Sequence, residues 1–338
     1  MKMRIRTIMR WSGLAVAMIA PLCALTSCGD SGKSKKEGLK TAHTSIACDA
    51  SFENIMSQEI DVFEYTYRDK YRDAMIIPYY TSQRAAVDSL LDKSVKTIVI
   101  PRELTKEEVR RLKSQKRNPR QQRIAVDAIA LIVNKDNPLE IISMKELRQI
   151  LSGELTRWDE IEPSRLGSIQ AVFDQNGSST AQYMRDSLLN GGKFGENVFA
   201  ENSNPEVFKA VTERKNALGI IGVSWISSDM SGAVMSREEL LRQSAAESDT
   251  TRLSFNSDIK VLKVRRDDSI EAYKPYQAYI FDGSYPLYRS IFMITTSVGG
   301  TLDSKFYAFV TGYQGQKVIQ LTGILPAVVQ PRMVNVSR

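Results

Sequence analysis

Residues 173–184 read FDQNGSSTAQYM, so a glycine, two serines and a threonine stand between an apolar, strand-like run and an apolar-periodic helix. Small hydroxyls at a helix start can do two kinds of chemistry. They cap the helix, because a serine or threonine oxygen accepts one of the backbone N–H groups that lack an intrahelical partner. Alternatively, the hydroxyls and the free N–H groups hold an anion, which the helix dipole favours. The stretch alone leaves both readings open.

The same strand–turn–helix pattern recurs three times upstream. TSIACD ends at Asp49, and Ser51 then opens FENIMSQEIDVFEYTYRDKY, where Phe52, Met56, Ile60 and Phe63 repeat at helical spacing. AMIIPYY runs into TSQRAAVDSLL, with Ser82 at the N-cap and Ala86, Val87, Leu90 and Leu91 forming a buried face. TIVI runs into PRELTKEEVRRL, with Arg102 in the turn and capping-box spacing between Thr105 and Glu108. In the opening stretch, Ser179 and Gln182 show that spacing as well, Ala181, Met184 and Leu188 make an apolar stripe, and Asn190-Gly191 ends the helix. Strands alternating with helices predict an α/β fold layered around mostly parallel sheets, with ligands outside the carboxyl ends of the strands.

Further elements lie downstream. IAVDAIALIVNKDNP is a long β-rich run stopped at Asn137-Pro138, and LEIISMKELRQILSG is a helix with Met144, Leu147, Ile150 and Leu151 on one side and Gly153 closing it. NALGIIGVSWIS reads as a buried, glycine-punctuated strand and YPLYRSIFMITT as a long strand entered through a proline. KFYAFVTGYQGQKVIQLTGILPA reads as one helix capped near Gly323 and a short terminal strand. Trp158 and Trp225 are read as packing residues.

Composition narrows the function classes. The chain has 338 residues, 42% of them hydrophobic, enough for the core of one large or two ordinary domains. Its formal charge of +7 falls to +3 once the four cations Lys2, Arg4, Arg6 and Arg10, in a segment expected to be removed, are set aside. That balance is too mild to imply nucleic acid as a partner. The one histidine, His43, leaves a Ser-His-Asp hydrolase or a histidine-rich metal site without its imidazole.

The N-terminus joins a basic start, MKMRIRTIMR, to the apolar WSGLAVAMIAPLCAL, which is broken by Pro21 and short for a membrane span. This reads as a secretory signal over residues 1–27. Leu25-Thr26-Ser27-Cys28 resembles a bacterial lipobox, in which Cys28 becomes the lipidated first residue of the mature chain. Residues 28–43 read as a solvated tether. With Cys23 in the signal and Cys28 lipidated, Cys48 is left unpaired and is expected to be buried.

In their order, IAVDAIALIVNKDNP, LRQILSGELTRW, GSST before a helix, ALGIIGVSWI, YPLYR and GQKVIQLTGILP resemble the phosphate-binding proteins of bacterial ABC phosphate transporters, in particular a lipoprotein branch. The resemblance covers most of the chain from about residue 44 to about 330. It implies a two-lobed type II periplasmic binding fold with the ligand in an interlobe cleft. Lobe 1 would comprise residues 44–130 and 286–338 and lobe 2 residues 131–285, with crossings near Asp127 to Asn134 and Tyr285 to Arg289. Carried over by position, the phosphate contacts fall on Ser51 and Phe52, on Ser82, on Arg102, and on Ser178, Ser179 and Thr180, in the same four turns.

The sequence departs from the family pattern in three places. Asp174 stands where members commonly have an arginine, Pro101-Arg102 where many have an aspartate, and Ser179 where a glycine is usual. The first two departures suggest an exchange in which Arg102 supplies the cation and Asp174 a carboxylate acceptor for a ligand proton, with Asp49 the next acidic candidate.

The resemblance further implies a monomeric receptor, not an enzyme, without cofactor or metal, lipid-anchored on the periplasmic side of a bacterial inner or outer membrane and serving an ABC permease. The competing readings are a receptor for sulfate, molybdate or a small carboxylate, a secreted phosphoester hydrolase with a serine nucleophile, and a surface lipoprotein without a ligand. The lipobox gives a direct prediction: Cys28→Ala leaves the chain folded but frees it from membranes, and membrane fractionation reads the change. A variant that still sediments with membranes overturns the anchor.

Overall fold

The computed structural model describes residues 43–67, 74–227 and 258–328. Cys28, the signal and nearly all of the tether lie outside the described residues. No helix among those described is long and apolar enough to cross a membrane.

The chain opens with three strand–helix units: β1 (His43–Asp49) with α1 (Glu53–Tyr67), β2 (Met75–Thr81) with α2 (Gln83–Leu91), and β3 (Thr97–Ile100) with α3 (Lys106–Ser114). The 15-residue β4 (Arg120–Asn134) follows. Next come β5 (Ile141–Ser143) with α4 (Met144–Ser152), β6 (Gln170–Phe173) with α5 (Ser179–Leu188), β7 (Val198–Ala200) with α6 (Asn204–Glu213), and β8 (Ala217–Gly222) with the short α7 (Ser224–Ser227). The short strands β9 (Ile259–Val261), β10 (Lys263–Arg265) and β11 (Ala272–Tyr273) and a helix Gln277–Phe281 precede β12 (Tyr288–Thr295). Two helices, Leu302–Val310 and Tyr313–Leu321, and β13 (Leu325–Pro326) complete the described chain.

The main sheet runs β2-β1-β3-β12-β4-β8-β6-β7, with β13 and β9 also on β4, while β11-β10-β5 form a small separate sheet. β4 joins the two halves. Residues Arg120 to Ala128 pair with β12, and Ile129 to Val133 pair with β8, so the strand changes partner at Ala128/Ile129.

On one side of that handover, alternation along β1 sends Ile46 and Cys48 to a core shared with α1 and the two C-terminal helices. Ala47 goes to a second core under α2 and α3. Helices on both faces explain why TIVI is apolar at nearly every position and wholly buried. The second half of β4 packs with β6, β8 and helices α4 to α6 around a third core, in which Trp158 is buried.

Most caps fall where the sequence placed them. Ser82 caps α2, Thr105 and Glu108 form a capping box, and Gly153 closes α4 at φ 82°. Four expectations change, the first being that Ser224–Ser227, read as the end of a strand, is the short helix α7. The cap of α5 is Ser178, whose oxygen accepts from the Ala181 amide at 3.1 Å, so Ser179 and Gln182 make no capping box. Residues 302–321 form two helices because the chain doubles back at Thr311-Gly312. There a Cβ on Gly315 would stand 2.5 Å from the Phe309 carbonyl oxygen, an approach only glycine permits. Ile141–Ser143, read as part of a helix, is a strand paired in parallel with β10.

Inside α1, Glu59 is fully buried and neither carboxyl oxygen has a hydrogen-bond partner among the described residues. Desolvation pushes this carboxyl well above the usual range, so folding takes up a proton. The native state then binds more protons than the unfolded state between the two pKa values. Stability is therefore full below the unfolded glutamate pKa and falls as pH rises toward the folded one, by about 1.4 kcal/mol per pH unit. Urea unfolding across the mildly acidic to neutral range should show this slope in the wild type and a flatter profile in Glu59→Gln.

Candidate functional site

The four strand-to-helix turns lie at the carboxyl ends of β1, β2, β3 and β6. Two of them meet across the halves of the molecule. The Ser51 hydroxyl, in the 3₁₀ turn Ala50–Phe52 that leads into α1, stands 3.1 Å from the Ser179 hydroxyl and 3.3 Å from that of Thr180, both at the start of α5. It also donates to Asp174 Oδ2 at 3.4 Å, which Asn204 Nδ2 reaches from α6 at 3.5 Å.

Asp49, the last residue of β1, binds both sides of the cluster. Its Oδ1 accepts the Ser51 amide at 3.0 Å and the Ser179 hydroxyl at 2.8 Å. Trp225 Nε1 donates to the Ser51 carbonyl at 2.9 Å, which fixes the first turn from α7. The sequence reading of Trp225 as packing thus missed an orienting hydrogen bond. Gly177, at φ 75°, supplies the left-handed residue that brings the chain out of β6 and into the α5 cap.

The cation of the cluster comes from β12. Arg289 Nη1 donates to the Ser179 hydroxyl at 2.9 Å, while Nε and Nη2 donate to Asp127 Oδ2 at 3.4 and 3.2 Å. Arg289 faces Asp127 because the two are register partners on adjacent antiparallel strands. The guanidinium carbon lies 4.7 Å above the Phe52 ring, so that aromatic face holds the plane of the charge. Space for the pair comes from β8, where a Cβ on Gly222 would approach Asp127 Oδ2 to 2.8 Å.

Asp127, Asp49, Asp174 and Arg289 are 0%, 2%, 2% and 4% exposed, so the polar cluster is cut off from bulk water. Desolvation raises the Asp127 and Asp49 carboxyls above their ordinary range, and the charge of Arg289 pulls both back down. Among the described residues, Asp49 Oδ2, Asp127 Oδ1 and Asp174 Oδ1 have no hydrogen-bond partner. Acceptors therefore outnumber donors in a site built largely of hydroxyls and helix N-termini. No group of three or more His, Cys, Asp or Glu that could hold a metal occurs among the described residues.

Of the positions expected from sequence, Ser51, Phe52, Asp174, Ser179 and Thr180 come together here, with Ser178 beneath them as the cap. Ser82 and Arg102 stand apart from the cluster and line a cleft of about 590 Å³ together with Asn176, Gly177, Gln182 and Arg185. The Ser82 hydroxyl accepts the Ala85 amide at 3.2 Å. Arg102 forms a two-pronged pair with Glu108, at 2.8 and 2.9 Å, which holds the Glu108 carboxyl below its ordinary range. The exchange suggested by the sequence therefore takes another form: Asp174 is in the cluster, but its cation is Arg289. Arg289 sits in the quoted YPLYR stretch and Asp127 in IAVDAIALIV, where one carboxylate inside an apolar strand already demands a buried partner.

A family model described as a PBP superfamily domain matches residues 34–312. The chain belongs to this superfamily. The phosphate-binding protein PstS of Pseudomonas aeruginosa is 22% identical over 218 residues, which cover 60% of this chain and 58% of that protein's length. A substrate-binding protein from Clostridium perfringens, solved with bound phosphate, superposes with a TM-score of 0.64 at 18% identity and covers 85% of this chain and 100% of its own. An ABC-type phosphate transport receptor from Vibrio cholerae gives a TM-score of 0.59 at 18% identity, covering 84% and 100%. The fold is accordingly the two-lobed one of type II periplasmic binding proteins.

The buried pair generates a stability prediction. Arg289→Ala leaves Asp127 charged and uncompensated and should cost about 3–5 kcal/mol, whereas adding Asp127→Ala should restore part of the loss. Denaturant unfolding of the two variants checks this. A single-variant loss below about 1 kcal/mol would be the value for a solvated surface pair and would contradict the burial.

Proposed function

We propose that this chain is an extracytoplasmic receptor, lipid-anchored through Cys28, that binds inorganic phosphate between its lobes and passes it to an ABC permease. The observation that carries the reading is the meeting of two helix N-termini from opposite lobes, with the hydroxyls of Ser51, Ser179 and Thr180 and the Arg289 guanidinium within one hydrogen-bonded cluster. Hydroxyls, helix-start amides and a guanidinium are donors of the kind that a tetrahedral oxyanion takes. The relatives named for phosphate binding support the same ligand.

In this reading the ligand takes the Ser51, Ser179 and Thr180 hydroxyls and the opening amides of α1 and α5, while Asp174 accepts a ligand proton. Phe52 orients Arg289, and Ser178 keeps the α5 terminus in place. Ser82 and Arg102 flank the approach to the site. The strands β4 and β12, which run through the crossings between lobes, supply the hinge for closure. A receptor also fits the hydroxyl chemistry better than a hydrolase. The one described histidine, His43, is exposed at the start of β1, so no imidazole activates a serine.

Calorimetry with inorganic phosphate and with sulfate tests the proposal. Phosphate should bind in the micromolar range or tighter and sulfate far more weakly. The pair Ser179→Ala and Thr180→Ala should weaken phosphate by about 1.5–3 kcal/mol per lost bond, beyond any loss in thermal stability. Lowered stability with unchanged affinity would leave these residues a structural role only. Silence toward phosphate overturns the ligand.

A further inference from the structure

Counting donors and acceptors in the cluster takes the ligand one step further. Asp127 is engaged by Arg289 through Oδ2, so the charges of that pair balance, although its Oδ1 also has no donor among the described residues. Asp49 and Asp174 remain, on either side of the Ser51–Ser179 hydroxyl pair, each with one oxygen bonded and the other without a donor among the described residues. Two buried carboxylate oxygens without donors are costly, and a second dianion beside them would add repulsion in a medium that screens poorly. A ligand that brings two O–H groups and a single negative charge removes both costs.

Resting on the phosphate reading, we propose that this site selects the doubly protonated monoanion, dihydrogen phosphate, with one P–OH donating to Asp49 Oδ2 and the other to Asp174 Oδ1. The two unprotonated oxygens face the Ser51, Ser179 and Thr180 hydroxyls and the helix N-termini. Because burial already raises the Asp49 carboxyl, a proton donated by the ligand relieves a cost present before binding.

The other groups at the cluster leave the count unchanged. Cys48, behind Asp49 on β1, is a buried thiol that desolvation keeps protonated. Tyr183 on α5 is a phenol raised by burial, and Asn204, Ser224 and Trp225 on α6 and α7 do not titrate. Glu53, at the start of α1, is exposed. In the neighbouring cleft, Arg102 is neutralised by Glu108.

Calorimetry of the full chain with inorganic phosphate from about pH 6 to about pH 9 decides the matter. Above the second pKa of phosphate and that of Asp49, total phosphate affinity should fall about tenfold per pH unit, with one proton taken up on binding. At the acid end, phosphite, a monoanion with a single O–H, should bind at least tenfold more weakly than phosphate. Asp174→Asn, which replaces an acceptor oxygen by a donor, should weaken phosphate at the acid end and flatten the profile, with thermal unfolding as the control for folding. If that variant does not fold, Asp49→Asn serves the same purpose.

Affinity that stays level or rises to the alkaline end of that range, with no proton taken up on binding, means that ionised carboxylates hold the dianion and overturns this inference while leaving the phosphate reading intact. Equal binding of phosphite and phosphate also overturns it. No phosphate binding at any pH removes both.

Discussion

A guanidinium and a carboxylate sealed from water hold each other in place, because moving either one leaves a charge in a medium that cannot solvate it. Arg289 and Asp127 are such a pair, and the site is arranged around them. Strand register sets them side by side, the missing side chain of Gly222 leaves room for the carboxylate, and the Phe52 ring fixes the plane of the guanidinium. One end of Arg289 is committed to Asp127 and the other donates to Ser179, so the position of the α5 terminus is tied to the strands that join the two halves. A buried pair of this kind adds little net stability over an apolar replacement. Its contribution lies in where it puts the remaining donor.

That donor joins others that carry no full charge. The turns after β1 and β6 present hydroxyls and the unsatisfied amides of helix starts, which attract an anion without needing a counter-charge of their own. Asp49 cross-links the two turns by accepting from both Ser51 and Ser179, and Trp225 holds the Ser51 carbonyl from a third direction. The cluster is thus rigid at its base, and its chemistry is set by hydrogen-bond direction more than by net charge. Within it three buried carboxylates, Asp49, Asp127 and Asp174, stand against one guanidinium.

The parts legible in the sequence were the local ones. Cap residues, the αL glycine Gly153 and helical spacing depend on a few neighbouring residues, and they located all four turns and most of the elements. Ser51, Ser179 and Thr180 could be singled out because their type and position at helix starts already limit what they can do. Arg289 and Asp127 depend on the antiparallel register of strands 162 residues apart, which no local pattern encodes. The one available signal was a carboxylate within an apolar strand. Arg102 misled for a related reason: its turn was identified, but its charge is consumed by Glu108, whose capping-box position in α3 brings the carboxylate back over the turn.

The contacts between the two halves of the chain are of two strengths. Ser51, from the first half of the chain, meets Ser179, Thr180 and Asp174 from the second through hydroxyl contacts of 3.1–3.4 Å, none of them short and none between full opposite charges. The halves are also joined by charge-assisted bonds, from Ser179 to Asp49 at 2.8 Å and from Arg289 to Ser179 at 2.9 Å, each stronger than a neutral hydroxyl contact of about 0.5–1.5 kcal/mol. At this point the halves are therefore held by hydroxyls that bond a carboxylate or a guanidinium as well as one another, so their separation costs charge-assisted bonds besides neutral ones.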